Sequence, residues 1–127
     1  MEQEITKQEV WAGNINSQAK DNKGWIMGHF MRPQSSPFCS QALEIKWHKI
    51  TSGNKKDRPR AHATGKTLNI LISGKIKIEF PEIRRTVILE REGDYLFFEP
   101  NVIHSWEDLE DGLLIAIRWP SLPKDQQ

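Results

Sequence analysis

The sequence predicts an all-β chain, a jelly-roll barrel of the double-stranded β-helix type. Short strand-like runs follow one another between turn residues, and no segment sustains a helical period of useful length. Alternation within the runs supports the same reading. Leu68, Ile70 and Ile72 share one face of their run, as do Ile76, Ile78 and Phe80 of the next, as a period of two requires.

Residues 1–23 are polar apart from Trp11 and a few aliphatics, and read as an arm or edge segment ahead of a barrel over 24–127. The runs are GWIMGHFM (24–31), ALEIKWHKI (42–50), KTLNILIS (66–73), KIKIEF (75–80), RTVILE (85–90), DYLFFE (94–99), IHSW (103–106) and LLIAIRW (113–119). Ser73-Gly74 is a tight hairpin signal, and Phe80-Pro81-Glu82 breaks the strand that follows it. Glu90 to Asp94 and Glu107 to Gly112 read as polar reversals. The stretch TSGNKKDRPR, 51–60, has no apolar residue and carries Pro59, so it is a loop. About eight strands suit two packed sheets closed into a jelly roll.

Composition narrows the function classes. A chain of 127 residues is one domain, and 18 Lys+Arg against 17 Asp+Glu leave a net charge of +1. Such a balance offers no broad attraction for nucleic acid or an acidic membrane, so neither is an expected partner. Apolar residues make up only 37%, but five Trp and five Phe supply large buried area. Cys39 is the single cysteine, which excludes an intrachain disulfide and a thiolate zinc cluster. The charged start MEQEITKQEV is unlike a signal peptide, and the longest apolar run, LLIAI, is too short to span a bilayer. The expectation is a soluble, cytoplasmic protein. Phosphate loops, GxSxG elbows and HExxH motifs are absent from the sequence, and carboxylates pair only in turns such as Glu107-Asp108 and Glu110-Asp111.

One spacing is more informative. Gly93, five residues, then Glu99-Pro100-Asn101-Val102-Ile103-His104 resembles the second cupin motif, G-x5-P-x-G-x2-H. Glu99 takes the proline position, Asn101 the second glycine and His104 the histidine. Asn is the residue that best replaces Gly where φ must be positive. Counting back from Gly74 lays the first cupin motif, H-x-H-x3–4-E-x6-G, over Arg60, His62, Thr67 and Gly74. The chain is thus similar to small single-domain cupins of the conserved-barrel type, from Arg60 to Trp106.

In that family, histidines and a glutamate at these positions hold a divalent metal such as Fe, Mn, Ni or Zn. The resemblance implies His62 and His104 as metal ligands, but Arg60 and Thr67 stand at the other two positions. A guanidinium cannot ligate a metal, and a Thr hydroxyl lacks the compensating charge of a carboxylate. A third ligand could come from His48, His29 or solvent. His48 points outward if its strand is regular with Leu43, Ile45 and Trp47 in the core, and inward if both faces are covered. For both histidines a hydrogen-bonded packing role is the simpler reading.

The expected site is a polar group of Arg60, His62, Thr67 and His104 in a small apolar cup formed by aromatics including Trp47, Phe98, Trp106 and Trp119. Trp47 and Trp106 are the ligand-contacting candidates. Arg60 shares strand parity with His62, but is otherwise the last charge of a solvated loop. Lys55, Lys56 and Arg58 read as that loop's solvated charges. Arg118 is a secondary candidate, either an interior anion partner or a surface charge. The expected function is binding of a small polar or anionic organic ligand in the barrel mouth. The alternatives are a metal-dependent oxygenase or isomerase, and an interaction module. A homodimer is expected by analogy with the family.

Overall fold

The structure, a computed structural model, describes residues 9–56 and 58–125. Part of the expected N-terminal arm, residues 1–8, lies outside them. Within the described arm, a single helical turn α1 (Ile15–Gln18) and a 3-10 turn (Lys20–Asn22) lead into β1 (Trp25–Met27). There follow β2 (Glu44–Ile50), β3 (Lys66–Phe80), β4 (Arg85–Leu89), β5 (Tyr95–Phe98) and β6 (Ser105–Trp119). The order across the sheet is β1-β2-β6-β3-β4, with β5 on the flank of β3. All six strands pair antiparallel.

Three of the expected reversals are not reversals. β4 and β5 run the same way along β3, so Glu90 to Asp94 joins them without turning the chain back. The runs 66–73 and 75–80 are one continuous strand, β3, and the stretch Glu107 to Gly112 lies within β6. The strands pair along their length, from Lys66↔Trp119 to Glu79↔Ser105, with register shifts between Leu71 and Ile76. Gly74, at φ +85, sits in this irregularity. A Cβ there would stand 2.7 Å from the carbonyl oxygens of Glu110 and Asp111, and a Cβ on Gly112 would overlap the Ser73 carbonyl. Here Gly-Gly proximity and a bulge bend two long strands together, where a hairpin would have ended both. The loss of two breaks turns about eight expected runs into six strands.

The bend also switches the faces of β3. Before it, Thr67, Asn69 and Leu71 are buried; after it, Ile76, Ile78 and Phe80 are. Leu68, Ile70 and Ile72 do share a face, as expected, but it is the outer one, and Ile72 is 39% exposed. The core is Ile50, Leu71, Ile76, Ile78, Phe80, Leu89, Phe98 and Leu114. Each such side chain contributes about 1.5–3 kcal/mol on burial. Part of this core, Ile76, Ile78, Phe98 and Leu114, also lines the open space beside the polar start of β3.

On the outside, two apolar rows cross the sheet. Ile45, Ile117, Leu68 and Phe97 are successive cross-strand neighbours, and so are Trp47, Ile115, Ile70 and Tyr95. Trp47 and Trp119, expected in the cup, therefore belong to the outer layer. There the Trp47 indole N–H donates to Asn16 Oδ1 at 2.9 Å, and Trp119 packs on Phe97.

Candidate functional site

Inside the barrel is a cavity of about 560 Å³. Each wall is the inward face of an alternating strand. β2 contributes Glu44, Lys46 and His48, β3 contributes Thr67 and Asn69, and β6 contributes Trp106, Leu114, Ala116 and Arg118. His62 and His104 come from the segments just before β3 and β6, and Phe98 from the end of β5. The cup is large enough for a small organic molecule and combines apolar walls with a few polar groups.

Of the expected site residues, His62, Thr67, His104 and Trp106 come together here, while Arg60 and Trp47 are not in the cavity wall. Arg60 is half-buried outside that wall, and its backbone pairs with His104 in both directions at 2.9 Å. Strand parity fails for Arg60 because residues 60–62 are not a regular strand; Ala61 and His62 are both buried in succession after Pro59. The cation in the cup is instead Arg118. Lys56, expected in solvent, also lines the cavity, its backbone N–H held by the Trp106 carbonyl at 2.9 Å.

The histidine-bearing segments are held by backbone. Asn101, at φ +66, donates its N–H to the His62 carbonyl at 2.7 Å. This is the positive φ for which the Asn-for-Gly exchange was suited. His104 places Nδ1 3.1 Å from the Val102 carbonyl, which assigns the ring proton to Nδ1 and leaves Nε2 as an acceptor. The His62 and His104 rings stack at 6.2 Å between centroids.

Electrostatically the cup is positive. Lys46, Lys55, Lys56, Arg118 and Lys124 line it against Glu44 and Asp125. Burial, with Arg118 and His104 adding to it, pushes His62 down to about 3, so the ring is neutral at pH 7. Burial also lowers His104, with Lys56 and Arg118 acting in the same direction. Lys46 and Lys56 are lowered by burial and by neighbouring cations, Arg118 among them. Arg118 is itself lowered by burial, against the opposing effect of Glu44.

Glu44 is engaged elsewhere. Arg118 Nη1 donates to Glu44 Oε2 at 2.6 Å, and the Ser121 hydroxyl donates to Oε1 at 2.8 Å. The same hydroxyl accepts from the His29 backbone N–H at 3.0 Å and lies 2.8 Å from His29 Nδ1. His48 Nε2 contacts the buried Asp108 at 3.1 Å and its ring packs against Trp106 at 5.2 Å between centroids. His29 and His48 thus have hydrogen-bonded packing roles within the cavity wall. His48 faces inward because it shares strand parity with Glu44 and Lys46, while Ile45 and Trp47 lie half-buried on the outer face.

What remains unpaired is specific. Among the described residues, both ring nitrogens of His62, Thr67 Oγ1 and Arg118 Nε are buried with no hydrogen-bond partner. Sequence reasoning missed Lys46, Asn69 and Asp125. The Glu44-Lys46-His48 alternation on β2 was the signal for the first of these, a polar inner face opposite apolar Ile45 and Trp47.

No family model matches this chain, and no curated protein matches its sequence. Solved structures do match its fold. A cupin protein from Bacteroides fragilis aligns at TM-score 0.57 and 17% identity, over 68% of this chain and 74% of the other. KdgF from a Halomonas species aligns at TM-score 0.57 and 19% identity, over 65% and 73%. A Klebsiella pneumoniae protein with a double-stranded β-helix domain aligns at TM-score 0.59 and 12% identity, over 91% and 92%. The chain has the cupin fold.

The metal that this fold implies is not matched by these side chains. Of the four imidazoles in the wall, His29 and His48 are engaged by Ser121 and Asp108, which leaves His62 and His104. Thr67 takes the carboxylate position, and Arg118 and Lys56 repel a cation. Among the described residues, no three His, Cys, Asp or Glu side chains converge as a ligand set.

Proposed function

We propose that this barrel binds a small organic anion in the cavity bounded by His62, Thr67, His104 and Arg118. The observation that carries the reading is the set of buried polar atoms without partners on His62, Thr67 and Arg118. Such atoms cost about 1–3 kcal/mol each when left unsatisfied, and a ligand that reaches them recovers that cost. The excess of lysine and arginine in the lining gives the ligand its sign. Mutual repulsion among Lys46, Lys56 and Arg118 falls when an anion lies between them. His104 Nε2, as an acceptor, suits a hydroxyl or protonated group on the same ligand.

The test is a thermal-melt and calorimetric panel of small carboxylates, sugar acids and phosphate esters. At least one class should raise the Tm, with ligand at 100 times Kd adding about 2.7 kcal/mol of stability. Lys56→Gln and His62→Asn should each weaken that ligand about tenfold. A panel without any shift, or binding indifferent to both substitutions, overturns the reading.

The outer sheet supports association with a second copy. Its two apolar rows, with Tyr95 68% and Phe97 40% exposed, carry no charged side chain. A two-fold axis through such a face opposes no like charges, so the same surface serves both partners.

A further inference from the structure

The chain beyond β6 returns to the cavity and brings a carboxylate with it. Asp125 accepts hydrogen bonds from the Thr64 N–H at Oδ1 and the Gly65 N–H at Oδ2, each at 2.9 Å. Its backbone carbonyl accepts from Ala63 N–H, also at 2.9 Å. Oδ2 lies 3.7 Å from His62 Nδ1. Gly65 leaves the space for this arrangement. A Cβ there would stand 3.0 Å from both Asp125 Oδ2 and Arg118 Cγ.

Two successive amides, one to each oxygen, with an imidazole alongside and the field of the Arg118 guanidinium, itself bonded to Glu44, reaching the carboxylate, form a general receptor for a carboxylate. The receptor adjoins the cavity, since His62, Arg118 and Asp125 all line it. His62 is 7% exposed, and among the described residues both its ring nitrogens lack a hydrogen-bond partner despite the nearby carboxylate, as does Arg118 Nε. The tail fills the amide cradle and leaves the deeper polar atoms unused.

We propose that the Thr64 and Gly65 amides, with His62 and Arg118 beside them, are a carboxylate subsite of the cavity that Asp125 occupies as a tethered stand-in until a ligand carboxylate displaces it. This rests on the anion-binding reading above. A tether of a few residues gives its own carboxylate an effective concentration in the millimolar range. The competing ligand must overcome that concentration, so removal of the Asp125 side chain strengthens binding. The ligand class is a small carboxylate whose other end extends past His62 toward Thr67 and His104.

The test uses the full chain with succinate as the probe, followed by calorimetry and by the amide proton shifts of Thr64 and Gly65. Asp125→Ala should bind succinate at least tenfold more tightly than the wild type. Both amide protons should move upfield in the variant and return downfield when succinate saturates it. Adding Gly65→Ala should abolish that return. If Asp125→Ala does not fold, Asp125→Asn keeps an acceptor oxygen, removes the charge and should show the same gain in smaller measure. Equal succinate binding by wild type and variant, or binding that leaves both amides unmoved, overturns the subsite and leaves the anion reading standing. Absence of succinate binding in every protein overturns the subsite. If the wider anion panel is then also silent, the anion reading falls as well.

Discussion

The backbone N–H of Asn101 donates to the carbonyl oxygen of His62 at 2.7 Å, tying the segment before β6 to the segment before β3. Asn101 does so from φ +66, the left-handed region. Asn101→Gly should therefore change stability by less than about 0.5 kcal/mol, whereas Asn101→Val should cost about 1–2 kcal/mol. Urea unfolding of the two variants measures the difference. Near-equal midpoints would show that the bond to His62 does not depend on this backbone conformation.

Acid should destabilise the fold through His62. The ring falls from 6.5 to about 3 on folding, chiefly by burial. Between those values the unfolded chain carries a proton that the folded chain does not. Stability from this ring is complete above pH 6.5 and is lost as the pH falls toward 3. His104 is shifted in the same direction and adds to the slope. Unfolding free energies at pH 7, 5 and 4 should decline more steeply in the wild type than in His62→Gln. Parallel declines would contradict the assignment.

Asp108 is fully buried and holds the loop after β2. Its Oδ2 accepts the Thr51 N–H at 2.9 Å, and Oδ1 lies 3.1 Å from His48 Nε2. Asp108→Ala strands both partners and should cost about 2–4 kcal/mol. Asp108→Asn retains an acceptor and should cost less. Chemical denaturation that ranks the two variants equally would argue against this hydrogen-bonding role.

The crossing of Gly74 and Gly112 should tolerate no side chain. Gly74→Ala meets two carbonyl oxygens at 2.7 Å from a positive φ, and Gly112→Ala meets the Ser73 carbonyl. Each should lose more than about 2 kcal/mol. A melting curve near that of the wild type for either variant would mean the two strands can separate at the bend without loss.

Self-association through the outer face is read by light scattering. The 14.8 kDa chain should scatter as a particle of twice that mass. Ile70→Lys, at the centre of one apolar row, should restore the single-chain mass while leaving the Tm within a few degrees. A wild type that scatters as one chain overturns the second-copy proposal.

Local pattern determined much of this protein. Alternation and turn chemistry were enough for the all-β class, the strand break at Phe80-Pro81-Glu82, and the pairing of His62 with His104 through motif spacing. The positive φ of Asn101 was also legible, because few residues other than Gly and Asn adopt it readily. Tertiary structure decided which face of each strand looks inward. Period two groups Leu68, Ile70 and Ile72 but carries no sign, and the bend at Gly74 reverses parity halfway along β3. For the same reason Trp47 and Trp119 lie outside, while Lys46, Arg118 and Lys56 enter the cup. Asp125 was beyond local reasoning altogether. Its contacts with Thr64 and Gly65 span about sixty residues of chain, and only the folded sheet brings them to one place.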